Sequence, residues 1–243
     1  MSSAASPRAL GVIPARGGSK RLPRKNIRNL NGAPLIAYTI AAAAGAQRLT
    51  DWLVSSDDDE IMDAARRYGA PVPYKRPPEL GGDEVRNNEV MLHAIDHMER
   101  VTGAPYDIIM LLQPTCPIRD SAHIDKAIEL LWASDLPTVA SVKGPFKKRD
   151  PNLKRIQDGV LEDYCGCPPQ GDWLPFYIYN ASIYAMRRDW FLRERRFVSE
   201  RQVPLVMDEH HSVDVDDEVG FVIAETLVRH LGVPTPKPKG TSL

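Results

Sequence analysis

ALGVIPARGGSKRLPRKN, residues 9–26, decides the fold. The first six residues form a short apolar run, long enough for a buried strand and too short for a helix. The chain then turns abruptly into a loop with two glycines, Gly17 and Gly18, and five cations, Arg16, Lys20, Arg21, Arg24 and Lys25. An alanine-rich stretch at 35–46 follows with helical character. Strand, basic loop and helix in that order predict a unit that carries its loop to the carboxyl edge of a parallel sheet, where such sheets bind ligands.

The same alternation continues along the chain. Strands are expected at 52–55, 106–112 and 138–142, and helices at 58–68 and 121–132. Further strands are expected at 182–186 and 203–207, and a closing helix at 218–231. The pattern predicts an α/β protein with a doubly wound, mostly parallel sheet, in which the loops after Pro14, Ser56 and Leu112 converge on one crevice. Residues 1–231 read as a single domain. Residues 144–179 break the rhythm with Pro, Lys and Gly, and read as an excursion from the sheet. The Pro- and Lys-rich tail, 232–243, is expected to be disordered.

Bulk composition narrows the partners. The 243 residues are 43% hydrophobic and carry a formal net charge of -1, so a large core is available and no global basic surface faces nucleic acid. No apolar run reaches the roughly 20 residues that span a bilayer, and the first eight residues lack a secretory apolar region. A cytoplasmic protein without membrane or nucleic-acid partners is expected. The three cysteines, Cys116, Cys165 and Cys167, are too few for a disulfide framework. Cys165 and Cys167 lack the second ligand pair that a structural zinc site needs.

Three segments carry chemistry. In the loop 15–26, glycines allow a phosphate to approach the backbone while the cations balance its charge. It is not a Walker loop, because Lys25 is followed by Asn26; a solvated basic loop is the alternative. In LLQPTCPIR, 111–119, a strand end runs into two prolines, a rigid turn that presents Gln113 either to a ligand or as a strand cap. In SVDVDDE, 212–218, Asp214 and Asp216 alternate along an extended segment and share a side. A pair of carboxylates so placed suits a hard cation such as Mg²⁺. A helix N-cap accounts for Asp217, but not for Asp214. His93 and His97 at helical spacing lack the glutamate of a zinc-protease motif and read as a helix-surface pair. His210 and His211 adjoin the acidic motif without a clear common face.

Together these segments resemble the CMP-acylneuraminate synthetase family of nonulosonic acid cytidylyltransferases. KRPPEL at 75–80 and YNASIY at 179–184 are similar to two further family segments, in the same order, and the resemblance spans about residues 9–231. It implies a Rossmann-like nucleotidyltransferase that moves CMP from CTP to the anomeric hydroxyl of a sialic-acid-like sugar acid, releasing pyrophosphate. It implies that Ala15, Arg16, Ser19, Lys20 and Lys25 surround the triphosphate, with Asn26, Arg76 and Asn87 near the cytidine. Gln113, Asn180, Tyr184 and Phe197 would meet the sugar acid. Asp214 and Asp216 would hold Mg²⁺, and Arg16, Lys25 and the two aspartates would carry catalysis. Segment 144–179 corresponds to a dimerisation element, so a homodimer is implied. Ile178 stands where the family carries Arg, Ala181 where it carries Gly, Cys116 where it carries Ser, and Gly220 where an Asp often follows the metal pair. Two other readings remain: a cytidylyltransferase for legionaminate, pseudaminate or a smaller 2-keto acid, and a nucleotide-binding module without catalysis.

Overall fold

A computed structural model describes residues 6–82, 85–146, 154–157, 160–163 and 176–240. The central sheet begins with β1 (Ala9–Pro14), in the position its apolar run predicts. A small antiparallel hairpin follows, β2 (Asn29–Leu30) and β3 (Ala33–Pro34), turning on Asn31 and Gly32 at φ 48° and 94°. Both turn residues need the left-handed region, which Asn and Gly enter at low cost.

The chain continues through α1 (Leu35–Gly45), β4 (Asp51–Ser55), α2 (Asp59–Arg67) and α3 (Asn87–Thr102). Next come β5 (Ile108–Leu112), α4 (Ser121–Trp132) and β6 (Thr138–Phe146). A hairpin, β7 (Lys154–Gln157) with β8 (Val160–Asp163), precedes the long β9 (Phe176–Arg187), α5 (Arg188–Glu194), β10 (Val203–Met207) and α6 (Glu218–His230).

The six-stranded sheet runs β10-β6-β9-β5-β1-β4. The pairs β1–β4, β1–β5 and β6–β10 are parallel. Only β9 runs antiparallel to its neighbours, β5 and β6. The strand expected at 182–186 is therefore the last part of a twelve-residue strand that re-enters the sheet from the opposite end.

β1 shows why the centre holds. Ala9 and Ile13 pack on one face with Ile36, Ile40, Ile124 and Ile128 of α1 and α4. Leu10 and Val12 pack on the other with Met91 and Ile95 of α3 and Phe191 of α5. A strand buried on both faces is the arrangement that makes a near-continuous apolar run stable. A third cluster seats α6 through Phe221, Ala224 and Val228 against Leu35, Tyr38 and Val215.

One expectation needs amendment, and another falls outside the described residues. The tail read as disordered is held on the body from 232 to 240: Val233 N–H donates to Val228 O, Thr235 Oγ1 to Asn31 O, and Lys239 N–H to Arg67 O. Composition does not show this because two of the three bonds are made by backbone N–H groups and the third by a single threonine hydroxyl. Much of the 144–179 excursion, including Cys165 and Cys167, lies outside the described residues, and so does any dimer contact it makes. Among the described residues, no helix is long and apolar enough to cross a membrane.

Candidate active site

The basic loop leaves β1 with Ala15 buried and its N–H donating to Ser55 O at 3.0 Å, which keeps the loop against β4. Gly17 is required by a close approach, since a Cβ there would run into the Asp58 carboxylate. Asp58 caps α2 by accepting from Ile61 N–H at 3.0 Å, and it pairs with Arg24 at 2.5 Å. Burial opposes ionisation of Asp58, but the bonds from Arg24 and the Ile61 N–H together hold its pKa below the ordinary carboxylate value. Arg24 also meets Glu60 at 2.7 Å and stands at φ 57°. That cation fastens the loop to α2. Asn26 is buried and closes the loop on itself, donating from Nδ2 to Arg16 O at 3.0 Å.

The acid segment meets this loop across a cleft of about 520 Å³. Lys25 Nζ lies 3.1 Å from Asp216 Oδ1, and Arg21 lies 3.3 Å from Asp216 Oδ2. Arg16, Ser19, Lys20 and Asn26 line the same cleft, as do Arg76, Asn87 and Gln113. Arg76 arrives from the segment between α2 and α3 and is tied to the loop after β4. Its N–H donates to Ser56 O at 2.8 Å, and its guanidinium pairs with Asp57 at 2.5 Å while almost fully buried. The loops after Pro14, Ser56 and Leu112 thus converge, as the sheet order predicts.

Val215 positions the carboxylates. Its side chain is fully buried and its N–H donates to Thr115 O at 2.8 Å, tying the acid segment to the turn after β5. Asp214 and Asp216 flank it, Asp216 in the cleft and Asp214 in a neighbouring cavity beside Tyr179, His210 and Gly220. Surrounding protein raises the pKa of Asp214, and Asp216 adds to the shift; a bond from Thr115 and the charges of Lys25 and Arg21 oppose it. Gly220 lies directly behind, where a Cβ would stand 2.7 Å from Asp214 O. Among the described residues, no group of three or more His, Cys, Asp or Glu is placed to hold a metal. The two aspartates therefore offer a partial, all-oxygen set.

A second cavity of about 410 Å³ adjoins the cleft and shares Asn87 and Gln113 with it. Tyr184 and Phe197 form its aromatic wall at 6.1 Å, with Phe197 stacked on Phe191 at 5.8 Å. Asn180, expected beside them, is placed elsewhere. Its carboxamide accepts from Ser141 Oγ at 2.5 Å and Ser182 N–H at 3.2 Å, and donates to Ser212 Oγ at 2.9 Å. It braces β9 against β6 and the acid segment from inside. Ala181 follows at φ 59°, so the departure from Gly places a Cβ in the left-handed region.

Sequence reading passed over Arg119, which the fold makes central. It is 2% exposed and donates to Ser182 O at 2.6 Å, Thr39 Oγ1 at 2.8 Å and Gln113 O at 3.3 Å. Burial pushes its pKa down to about 10. Cys116 is buried beside it, donating to Asn180 O at 3.4 Å, and its thiol pKa is pushed up to about 12 by burial, which leaves it inert. His93 and His97 sit edge-on to Tyr74 at 4.6 Å each, on α3 away from the acid pair. His211 pairs with Asp208 at 2.8 Å.

A three-layered α/β fold whose sheet brings a glycine-containing cationic loop and Asp216 of the acid segment to one cleft, with Asp214 in the cavity beside it, is of the Rossmann-like nucleotidyltransferase class. The family profile described as Cytidylyltransferase matches residues 10–164, and the chain belongs to that family. It is 33% identical over 232 residues to the CMP-N,N'-diacetyllegionaminic acid synthase of Legionella pneumophila, covering 91% of this chain and 96% of that protein. It is 30% identical over 223 residues to the N-acylneuraminate cytidylyltransferase of Escherichia coli O18:K1:H7, covering 90% of this chain and 51% of that protein. A solved CMP:2-keto-3-deoxy-manno-octonic acid synthetase complexed with CTP shares the fold with a TM-score of 0.69 at 17% identity, over 92% of this chain and 99% of that one.

Proposed function

We propose that the protein transfers CMP from CTP to the anomeric hydroxyl of a nonulosonic acid of the sialic or legionaminic type. The hydroxyl oxygen bonds to the α-phosphorus as the bond to the β-phosphate breaks, releasing pyrophosphate and the hydroxyl proton. The observation that carries this reading is the Lys25–Asp216 contact, which joins the phosphate loop to the acid segment across one cleft.

In this reading Arg16, Ser19, Lys20 and Lys25 hold the triphosphate, and charge on the departing pyrophosphate is met by Arg16 and Lys25. Asn26, Arg76 and Asn87 surround the cytidine. Gln113 stands at the boundary, with Tyr184 and Phe197 against the sugar acid. The donor chemistry of Asp214 and Asp216 fits Mg²⁺, which takes one or two carboxylates and completes its shell with phosphate oxygens and water. Bound there, Mg²⁺ would supply positive charge to the phosphate and lower the pKa of the attacking hydroxyl. We place the reaction in the cytoplasm and assign a homodimer, supported by the exposed Tyr177, Ile178, Val222 and Ile223 near the Asp214 cavity.

A pyrophosphate-release screen of CTP, UTP and GTP against N-acetylneuraminate, legionaminate, pseudaminate and smaller 2-keto acids, with and without Mg²⁺, tests the reading. Release with CTP and one nonulosonic acid, dependent on Mg²⁺, is expected. Release only with a smaller 2-keto acid would move the acceptor. Calorimetric CTP binding with no release for any acid would leave a nucleotide-binding module.

A further inference from the structure

The cavity beside the cleft has an unusual charge distribution. Arg86, Arg195 and Arg196 line it, and among the described residues no carboxylate does. Among the described residues, none of these three is ion-paired, whereas neighbouring cations are: Arg188 with Glu99 at 2.6 Å and Arg193 with Glu194 at 2.7 Å. Arg76, on the cleft side, is paired with Asp57.

The backbone at two of these arginines is anchored at a helix end. Arg86 is the N-cap residue of α3, and Arg195 is the C-cap of α5 at φ 55°. Asn88 Nδ2 donates to Arg195 O at 3.2 Å, joining the two walls. The result is an aromatic floor, Tyr184 and Phe197, rimmed by guanidinium groups and open to the cleft at Gln113.

We infer that Arg86, Arg195 and Arg196 recognise the carboxylate of the acceptor and so select acids over neutral sugars. This rests on the proposed transfer reaction. Guanidinium groups match a carboxylate in charge and in planar, two-pronged geometry. In a ring-closed 2-keto acid the carboxylate and the anomeric hydroxyl share one carbon. Holding the first therefore aims the second past Gln113 toward the nucleotide, which makes these arginines determinants of specificity and orientation together.

The test compares wild type with Arg195→Gln/Arg196→Gln and with Arg86→Gln, using the acceptor acid found in the screen and its methyl ester. Loss of charge-assisted bonds should raise the acceptor KM by about 10- to 100-fold while the KM for CTP stays unchanged. The methyl ester should bind wild type weakly by a similar factor, and the variants should weaken it little further. Arg196→Lys should recover part of the loss. An unchanged acceptor KM, or equal weakening of acid and ester, would overturn the inference. If wild type releases no pyrophosphate with any acid, the transfer reading fails, and calorimetry of acid against ester on wild type and variants then decides the carboxylate site alone. Because the three side chains are exposed, melting temperatures of the variants should match wild type.

Discussion

The cleft and the adjoining cavity share Asn87 and Gln113 yet are organised in opposite ways. In the cleft Lys25 and Arg21 face Asp216; outside its lining, Asp57 pairs with Arg76 and Asp58 with Arg24. These internal pairs hold cations and carboxylates at set positions before any ligand arrives. In the cavity the arginines have no acid among the described residues, and order comes from aromatic packing and from the Asn88–Arg195 bond. The difference teaches that one region is built to arrange charge around a reaction, and the other to attract and orient a negatively charged partner.

The sharpest way to break that contrast is at Asp216. Asp216→Asn keeps the shape and removes the charge opposite Lys25. Turnover with CTP and the acceptor should fall at least about a hundredfold, roughly 3 kcal/mol in the barrier, with the melting temperature nearly unchanged. The acceptor KM should move far less than in the arginine variants. Retained Mg²⁺-dependent turnover would remove the acid pair from the mechanism.

Arg119 tests the wall the two regions share. Arg119→Met fills the volume but strips the donors from Ser182 O, Thr39 Oγ1 and Gln113 O. Unsatisfied buried acceptors should lower stability by about 2 kcal/mol in urea denaturation. Because Gln113 loses its anchor, the KM for CTP and for the acceptor should rise together.

The contrast also explains what sequence could reveal. The cleft rests on contiguous segments, 9–26, 111–119 and 212–218, whose residue types state their chemistry. The parallel core around β1 was legible for the same reason, as was the exact span of α4 (Ser121–Trp132). The cavity is assembled from the start of α3, the ends of β5 and α5, two tyrosines of β9 and the segment after α5, and no single stretch carries its signal. Arg195 owes its place to a helix of only seven residues that buries one side chain, Phe191, which is too little periodicity to detect. Asn180 is the converse case. Its motif stands in one stretch, whereas the three serines that hold its carboxamide, Ser141, Ser182 and Ser212, come from separate segments. The Asn31-Gly32 pair is itself a hairpin signal, and the left-handed φ of both residues shows why.

Gly220 sets helix propensity against packing on the cleft side. It lies in the first turn of α6, where exchange for Ala would ordinarily stabilise the helix by about 1 kcal/mol. The added Cβ would stand 2.7 Å from Asp214 O, a backbone atom fixed by its neighbour's bond to Thr115. Backbone cannot swing aside as a side chain can, so the clash wins. Gly220→Ala should cost about 1–2 kcal/mol in stability and reduce turnover by displacing Asp214. An increase in melting temperature with full activity would show that the acid segment has slack.

The smallest effect lies behind the cavity, at the Glu99–Arg188 pair that joins α3 to α5. Two bonds, at 2.6 and 2.7 Å, link the side chains. Bonding to Arg188 is the main cause that holds the Glu99 pKa below its ordinary 4.5; burial opposes it, and a bond from Tyr106 N–H assists. A carboxylate whose folded pKa is depressed contributes stability above its unfolded pKa and loses it as pH falls through the folded value. Wild type should therefore weaken as pH drops below 4.5, more steeply than Glu99→Gln. The difference at neutral pH should be no more than about 1 kcal/mol, because the pair is only partly buried. Acceptor affinity should decline with this step before CTP affinity does, since α5 carries Arg195 and the cleft is pinned by other pairs. Parallel urea titrations across pH 3 to 7, with ligand affinity measured at each point, separate the two regions; simultaneous loss of both affinities would mean that the cleft and the cavity yield as one unit.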